Sequence, residues 1–394
     1  HRHGSHDHHQ YAMGHVHRPR GSIVTRQVGI GVIGCGYWGP NLVRNFGGTE
    51  GASVVSVADA QEDRAIKLAA QFGVKKTVSS AAALIEDPDV DLVVVATQSR
   101  THHAIARAAI EAGKHVLVMK PMTTSVEDAE DLVDLATRNG VLLAVDHTFV
   151  YTAAVRKIRE MVESQALGDV YYIDSVRINL GVFQSDVNVI WDLAPHDISI
   201  IDHIMGGEIP TEVSAIGAAH AGSVRENIAY LTLRYGPNVM AHVHVNWLAP
   251  AKIRRTIVGG SKQMVVYDDM QPSEKLQVYD KGVTIAPWDD PEMVYSQLVS
   301  YRSGDMWAPR LESREALAVE AEEVVSAILT GSSLVGDAEA GLRTVRVLAA
   351  AEQSVQRGSQ LIRLDSAGSL HAVPDSEMQA ISVGPSSETK IAAS

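Results

Sequence analysis

The segment from residue 28 to residue 59 constrains the fold of this chain more than any other. An apolar run at residues 28–33 leads into the pattern Gly34-x-Gly36-x-x-Gly39, a short amphipathic stretch follows, and a second apolar run ends at Asp59. This is the order of a strand, a glycine turn, a helix, a second strand and an acid. Such a unit binds the pyrophosphate of a dinucleotide at the start of the helix, because the N–H groups there are free.

Each residue of the pattern has a physical role in this interpretation. Gly34 permits a tight turn, Gly36 lets the backbone approach the pyrophosphate, and Gly39 lets the helix pack closely on the strand. Pro40 suits the first turn of the helix, where an N–H group is not needed. The Asp59 carboxylate can accept both ribose hydroxyls and would repel a 2′-phosphate, so the sequence predicts NAD and favours it over NADP. The alternative is a purely structural turn.

Length and composition bound the class of protein. A chain of 394 residues exceeds what one core usually fills, which predicts two domains. The sequence is 45% hydrophobic and 21% charged, as in folded globular proteins. Its formal net charge of −13 argues against a nucleic acid or an anionic membrane as partner, since either would require a basic face. We therefore expect a small-molecule substrate.

The cysteine count predicts the cellular compartment of the protein, and the composition of the two ends of the chain predicts which residues are disordered. Cys35 is the only cysteine, so the sequence predicts a reducing, cytoplasmic setting without a disulfide framework. No apolar run is long enough for a membrane span, and we expect no signal peptide and no metal centre. Residues 1–26 hold seven of the seventeen histidines and read as a tag or disordered leader, and residues 365–394 read as a disordered tail.

Between these ends the sequence predicts an α/β protein with two domains. Residues 27–150 alternate strand and helix patterns, which predicts a Rossmann-type, doubly wound parallel sheet. Its ligand crevice should lie at the carboxyl ends of the strands, where Thr97, Lys120 and His147 fall. Residues 151–364 contain several strands with alternating polarity, which predicts an open, mainly antiparallel sheet with helices on one face. Two closing helices, near residues 315–329 and 338–357, should pack back toward the first domain.

The outer face of the second sheet predicts self-association. It was expected to carry Thr232, His242, His244 and Trp247, side chains that a second subunit would cover. The sequence therefore predicts a homo-oligomer, either a dimer or a tetramer.

Two further signals suggest the chemistry. Lys120-Pro121 ends a strand beside the predicted nicotinamide crevice, and the segment from Trp191 to Asp197 opens a helix in which Asp192 would be the cap and His196 would face a cleft. Oxidation of a secondary alcohol requires removal of the hydroxyl proton while hydride leaves the same carbon. Histidine suits this task without adjustment, whereas lysine can polarise the oxygen, and either residue could be the formal base.

These motifs, taken in order, resemble one known family. The glycine pattern, Ala96-Thr97 with Thr101-His102, residues 113–116 leading to Lys120-Pro121, and Asp192-x-x-x-His196 are similar to the glucose-fructose oxidoreductase, inositol dehydrogenase and rhizopine-catabolism (Gfo/Idh/MocA) family over residues 28–364. The resemblance implies NAD(P)-dependent oxidation or reduction of a sugar or cyclitol carbon, with Lys120, Asp192 and His196 as the catalytic trio. Residues 191–200 and 254–269 resemble the branch that oxidises the C3 hydroxyl of nucleotide-linked sugars.

Positions in the predicted elements, together with the family motifs, complete the candidate site. Tyr37, Trp38, Thr97, His102 and His147 join Gly34, Gly36, Gly39, Asp59 and Lys120 as cofactor contacts. Arg177 and Asn179 join Lys120, Asp192 and His196 as substrate contacts, since arginine can bind a diphosphate in a bidentate manner. Met119 departs from the family, which usually has glutamate there: either a carboxylate partner of Lys120 is lost, or methionine is a neutral packing replacement.

Three functions remain open at this point. The first is an NAD-dependent sugar dehydrogenase or ketoreductase. The second is a glycosidase of the same fold in which NAD oxidises C3 transiently. The third is a sensor that binds dinucleotide without catalysis, although a sensor has no need of both Lys120 and His196.

Overall fold

The structure, a computed structural model, describes residues 26–280, 282–285, 299–302 and 304–374. The predicted leader up to residue 25 and the predicted tail from residue 375 lie outside these ranges.

The first domain contains the predicted parallel sheet. Its six strands have the order β3-β2-β1-β4-β5-β6, and every pairing is parallel. Strands such as β1 and β4 are buried along their whole length, which explains their unbroken apolar runs. The strand order reverses between β1 and β4, and this switch point opens a crevice at the strand ends. The strands are β1 Val28–Ile33, β2 Ala52–Ala58, β3 Lys76–Val78, β4 Leu92–Val95, β5 His115–Met119 and β6 Leu143–Asp146.

Helices connect these strands and end at residues that satisfy their free backbone groups. Ser80 and Ser125 accept backbone N–H groups at two helix starts, and Gly73 and Gly140 end two helices in the left-handed conformation. The helices of this part are α1 Gly39–Gly47, α2 Glu62–Phe72, α3 Ala81–Glu86, α4 His102–Glu111 and α5 Val126–Asn139.

The second domain contains a mixed, mainly antiparallel sheet, as the sequence predicted. Its order is β16-β13-β12-β11-β7-β10-β9-β8-β17-β18, and β7 and β10 form a parallel pair. The long strands are β7 Val170–Leu180, β8 Glu212–Ala218, β9 Ile228–Tyr235, β10 Val239–Asn246, β11 Leu248–Gly260 and β12 Met264–Asp268. The short ones are β13 Leu276–Tyr279, β16 Met306–Trp307, β17 Ile362–Leu364 and β18 Leu370–Ala372; β14 Gly282–Ile285 and β15 Val299–Arg302 form a separate hairpin.

Helices cover one face of this sheet and also join the two domains. α6 Ala153–Glu163, α7 Val189–Ile204 and α9 Ala338–Gln356 contact the sheet, and α9 also contacts α5 and β6. α8 Ala316–Thr330 packs instead on α1 and β1, where Leu317 and Val324 enter the core of the first domain. The last two helices therefore return to the first domain, in agreement with the sequence prediction.

One boundary in the sequence analysis is wrong. The tail was expected to begin at residue 365, yet Leu370–Ala372 pairs with Ile362–Leu364 at the edge of the second sheet. A strand of three residues has too few positions to show an alternating pattern, so it could not be predicted from periodicity. In the described part of the chain, none of the helices has the length and apolar character that crossing a membrane would require.

Candidate active site

A groove of about 840 Å³ follows the carboxyl ends of the first domain's strands. It runs from the glycine turn to the start of α7, so residues from both domains form its walls. The predicted residues that line it are Gly34, Gly36, Tyr37, Trp38, Asp59, Thr97, Lys120 and Asp192.

The glycine turn has the geometry that a pyrophosphate requires. Gly34 has a φ of +101°, and a Cβ there would lie 2.3 Å from the main-chain oxygen of Ala96, so only glycine fits. A Cβ on Gly36 would have no atom within 4 Å and would point into free space, whereas one on Gly39 would lie 3.0 Å from the Gly34 oxygen. No side chain caps α1, although the Gly39 N–H donates to the Gly36 oxygen at 3.3 Å and Pro40 has no N–H. The positive dipole end of the helix is therefore left open to an anion. These residues fit a dinucleotide.

Asp59 is held at the end of β2 by two backbone donors. Its Oδ2 accepts the Cys35 N–H at 2.8 Å, and its Oδ1 accepts the Gln61 N–H at 2.7 Å. Its carboxylate lines the groove in the position that the motif assigns to the ribose contact. Burial and the nearby Asp59 charge raise the pKa of the Cys35 thiol to about 12, so the thiol is protonated at neutral pH.

Two aromatic side chains border the groove at the glycine turn. Tyr37 is 87% exposed and Trp38 is 49% exposed, and their rings meet edge to face at 5.4 Å. Farther along, the hydroxyls of Thr97 and Thr101 are 2.7 Å apart. Apolar rings left in solvent beside a cleft are typical of a surface that a ligand covers.

His102 and His147 lie behind the groove instead of on it. His102 is 1% exposed, with Nδ1 2.8 Å from the Pro121 oxygen and Nε2 3.1 Å from the Thr97 oxygen, so it joins the ends of β5 and β4. His147 is 2% exposed and lines a separate cavity of about 320 Å³ beside Asp202 and Arg343. Neither side chain lines the groove, so direct cofactor contact by His102 and His147 stays a prediction.

The helix that carries the catalytic candidates begins earlier than predicted. The side chain of Asn188 caps α7, accepting the N–H groups of Ile190 at 3.1 Å and Trp191 at 3.2 Å. Asp192 and Pro195 consequently lie inside the helix, and the prediction that Asp192 is its cap is wrong. Asp192 and His196 are four residues apart, so they share one face of α7.

Lys120 and Asp192 meet where the two domains face each other. The Lys120 Nζ is 3.2 Å from Asp192 Oδ1 and also donates to the Asp192 main-chain oxygen. The other carboxylate oxygen, Oδ2, accepts the indole N–H of Trp247 at 3.0 Å. The Asp192 carboxylate is thus fixed between an ammonium group and an indole.

Trp247 corrects another sequence expectation. It was assigned to the outer face of the sheet with His242 and His244, but it is 1% exposed and reaches the site. Ala241, Val243 and Val245 are the inward residues of β10, and Trp247 continues their alternation. The two-residue period of a strand was therefore the signal that would have found it.

The His196 imidazole is partly buried, does not line the groove, and has one nitrogen without a partner. Its Nδ1 has no hydrogen-bond partner, and its ring meets Phe149 edge to face at 5.2 Å. Burial lowers its pKa well below the ordinary value, and the charges of Lys120, Arg177 and Arg254 lower it further. The ring is consequently neutral at neutral pH and able to accept a proton.

Arg177 and Asn179 lie on the inward face of β7 and do not line the groove. Arg177 forms a buried ion pair with Asp197, with Nε–Oδ2 at 2.8 Å and Nη2–Oδ1 at 3.2 Å, and it lies 4.4 Å above the Phe149 ring. Its Nη1 and the Asn179 Oδ1 are buried without partners. The Nε and Nη2 atoms of Arg177 are engaged by Asp197, so a diphosphate could meet only the two N–H groups of Nη1 without displacing that pair, and substrate contact by Arg177 stays a prediction.

We searched the described residues for side chains that could bind a metal ion. No group of three or more histidine, cysteine, aspartate or glutamate side chains among them could hold a metal ion.

Two family models match the chain, and together they cover more than half of it. Residues 28–147 match the model described as the oxidoreductase family with an NAD-binding Rossmann fold. Residues 155–266 match the GFO/IDH/MocA C-terminal domain.

Individual relatives agree with this match. The UDP-N-acetylglucosamine 3-dehydrogenase of Acidithiobacillus ferrooxidans is 29% identical over 82% of this chain and 95% of its own. The myo-inositol 2-dehydrogenase of Thermotoga maritima is 25% identical over 77% of this chain and 93% of its own. A solved structure of the A. ferrooxidans enzyme superposes with a TM-score of 0.69 at 25% identity, covering 84% of this chain and 98% of that one.

Proposed function

The chain belongs to the GFO/IDH/MocA family of NAD(P)-dependent sugar oxidoreductases, and we propose that it transfers hydride between the C3 carbon of a nucleotide-linked sugar and NAD. One observation carries the assignment: Lys120 at the end of β5 contacts Asp192 on α7, one helical turn before His196. A site that only binds would not need an ammonium group and a carboxylate on a dinucleotide groove with a neutral imidazole one helical turn beyond them.

The residues of this chain have separable roles in the proposed reaction. His196, neutral because its pKa is lowered, accepts the hydroxyl proton of the substrate. Lys120 donates to the same oxygen and stabilises the charge that develops there, while Asp192 fixes the direction of the ammonium group. NAD, when bound, would take the hydride at its nicotinamide ring. In the reverse direction the same groups return the proton to the alkoxide oxygen.

The cofactor and substrate choices rest on different features. The Asp59 carboxylate supports NAD over NADP, since a 2′-phosphate would approach a negative charge. The nucleotide-linked sugar rests on the similarity to the A. ferrooxidans 3-dehydrogenase, which covers nearly the whole of that relative. Arg254 and the unpartnered Nη1 of Arg177, both near Phe149, add positive charge beside His196 that suits an anionic substrate.

The outer face of the second sheet supports a homo-oligomer in this proposal. Tyr230 is 43% exposed there and stacks on His244 at 4.3 Å and on His242 at 6.0 Å, while Ile216 and Met240 are 60% and 48% exposed. A second copy would cover these side chains. Light scattering of the purified protein should give the mass of a dimer or tetramer, and a monomer would refute this part.

The test of the function is a substrate panel. UDP- and dTDP-linked sugars, free sugars and inositols are each incubated with NAD or NADP, and NADH formation is followed by absorbance. Lys120→Ala and His196→Ala are measured beside the parent, with His203→Ala as the matched control. His203 lies on the same helix, and burial also lowers its pKa, to about 4, but it faces a separate cavity.

The proposal expects net NADH with a nucleotide-linked sugar, a loss of about 10²- to 10⁴-fold in kcat for the two site variants, and near-parent turnover for His203→Ala. Full turnover in both site variants would refute the catalytic assignment. Release of free sugar without lasting absorbance change would instead identify an NAD-dependent glycosidase.

A further inference from the structure

Two carboxyl groups face each other in the interior beneath the groove. Asp146, the last residue of β6, is 2% exposed, and Glu320 on α8 is fully buried. Their side chains are in hydrogen-bonding contact. The strand and the helix are almost 175 residues apart in sequence, so this contact exists only in the finished fold.

The donors around the pair are too few for two carboxylates. The Thr148 hydroxyl donates to Asp146, but neither oxygen of Glu320 has a donor partner. Two ionised carboxylates can only accept, so a contact between them requires a proton on one of them. Consistent with this, burial and the adjacent Asp146 raise the pKa of Glu320 well above its ordinary value.

The charged groups around the pair do not neutralise it. Glu323 lies one turn along α8, and its charge is held by Arg156 at 2.7 Å. Tyr151 follows β6, and its hydroxyl accepts the Gly336 N–H at 3.2 Å. Arg44 of α1 is engaged by Glu315 at the start of α8. Lys120 is the cation that acts on Asp146 from the end of β5.

Lys120 connects the pair to the active site. Met119 and Asp146 are register partners on β5 and β6, and Lys120 is the next residue along β5. Met119 lines the groove, and Asp146 lies beside it on the neighbouring strand. Lys120 therefore contacts the Asp192 carboxylate directly, while Asp146 interacts with it through charge alone.

We propose that Asp146 and Glu320 share a single proton in the folded protein, and that the one negative charge left on the pair makes them positioning residues for Lys120. The shared proton concerns the fold alone, whereas the effect on Lys120 rests on the proposed function. The two parts are therefore tested by different readouts.

The shared proton is tested by the pH dependence of stability. A carboxyl group whose pKa is higher in the folded state than in the unfolded state stabilises the folded protein when it is protonated. This stabilisation is complete below the pKa of the unfolded state, about 4.3 for glutamate, and it is lost as the pH rises to the pKa of the folded state. Urea unfolding is measured from pH 5 to pH 8 for the parent, Glu320→Gln and the control Glu323→Gln. The unfolding constant of the parent should rise relative to Glu320→Gln by about tenfold per pH unit.

Glu323→Gln should keep the slope of the parent, because Glu323 is partly exposed and already paired with Arg156. Parallel curves for the parent and Glu320→Gln would overturn the shared proton. If Glu320→Gln does not fold, the parent is examined by infrared spectroscopy at pH 8 for the C=O band of a protonated carboxyl group. Absence of that band would equally overturn the proposal.

The effect on Lys120 is tested by activity of the same variants. Glu320→Gln leaves the charge on Asp146, so its pH–rate profile should match the parent. Asp146→Asn with Glu320→Gln removes the charge, and its profile should move to lower pH, the direction expected when a cation loses a nearby negative charge. A double variant that lowers kcat without moving the profile would show a structural role only and overturn this part.

Discussion

Trp247→Phe is the substitution that most directly tests how Asp192 is held. Phenylalanine keeps an aromatic ring in the buried position, where Trp247 stacks on Phe183 with ring centroids 5.5 Å apart. It removes the indole N–H that Asp192 Oδ2 accepts at 3.0 Å. The carboxylate then keeps Lys120 as a partner but loses the group that fixes its second oxygen.

The magnitude follows from the kind of hydrogen bond that is lost. A hydrogen bond to a charged group contributes about 1.5–3 kcal/mol. If the fixed carboxylate matters in the transition state, that loss corresponds to a decrease in kcat of roughly tenfold to 150-fold. The KM for NAD should stay near the parent value, because Trp247 does not line the dinucleotide groove.

Steady-state NADH formation with the substrate found in the panel measures both constants. Phe183→Leu is the matched control, since it removes the stacking partner and leaves the indole N–H in place. Parent-like kcat in Trp247→Phe together with a fall in Phe183→Leu would refute the reasoning, because ring packing would then be what the site needs.

Four further perturbations have defined outcomes. Asp59→Gly should raise the ratio of NADP to NAD use, measured as kcat/KM, by about tenfold or more, because the ribose hydroxyls lose a charged acceptor; an unchanged ratio would contradict the role of Asp59. Gly34→Ala should abolish NADH binding in a fluorescence titration, since its Cβ would lie 2.3 Å from a main-chain oxygen. Asp197→Ala should lower the free energy of unfolding by about 3–5 kcal/mol, as it leaves the buried Arg177 guanidinium unpaired; a cost below about 1 kcal/mol would mean that the pair is hydrated. Burial lowers the pKa of His147 to about 3, so the folding constant of the parent should fall about tenfold per pH unit as the pH drops from 6.5 to 3. His147→Gln removes this group, and its stability should fall less steeply over the same range. Equal pH dependence of stability in the parent and the variant would contradict this.

The sequence was sufficient for the elements whose pattern is local. The parallel sheet follows from unbroken apolar runs such as Val28–Ile33, and the glycine turn carries its own conformational requirement at Gly34. The pairing of Lys120 with the segment around Asp192 was expected from their positions at the ends of elements, and the structure brings them into contact.

Side-chain contacts between residues far apart in the chain could not be predicted from the sequence. The Trp247 indole reaches Asp192 across 55 residues, and Glu320 reaches Asp146 across a still longer separation. Arg177 carried a charge that suited a diphosphate, yet the fold engages it with Asp197. Side-chain partners of this kind depend on how sheets and helices dock, and a residue's type and spacing do not specify docking.

The position of α8 has a consequence for how the protein is made. Leu317, Ala321 and Val324 fill the same core as β1 and α1, although they are translated almost 300 residues later. Until α8 leaves the ribosome, the core of the first domain is incomplete and its apolar surface is exposed. An amino-terminal fragment without α8 should therefore aggregate. Ribosome-bound chains would gain affinity for dinucleotide only after α8 has emerged.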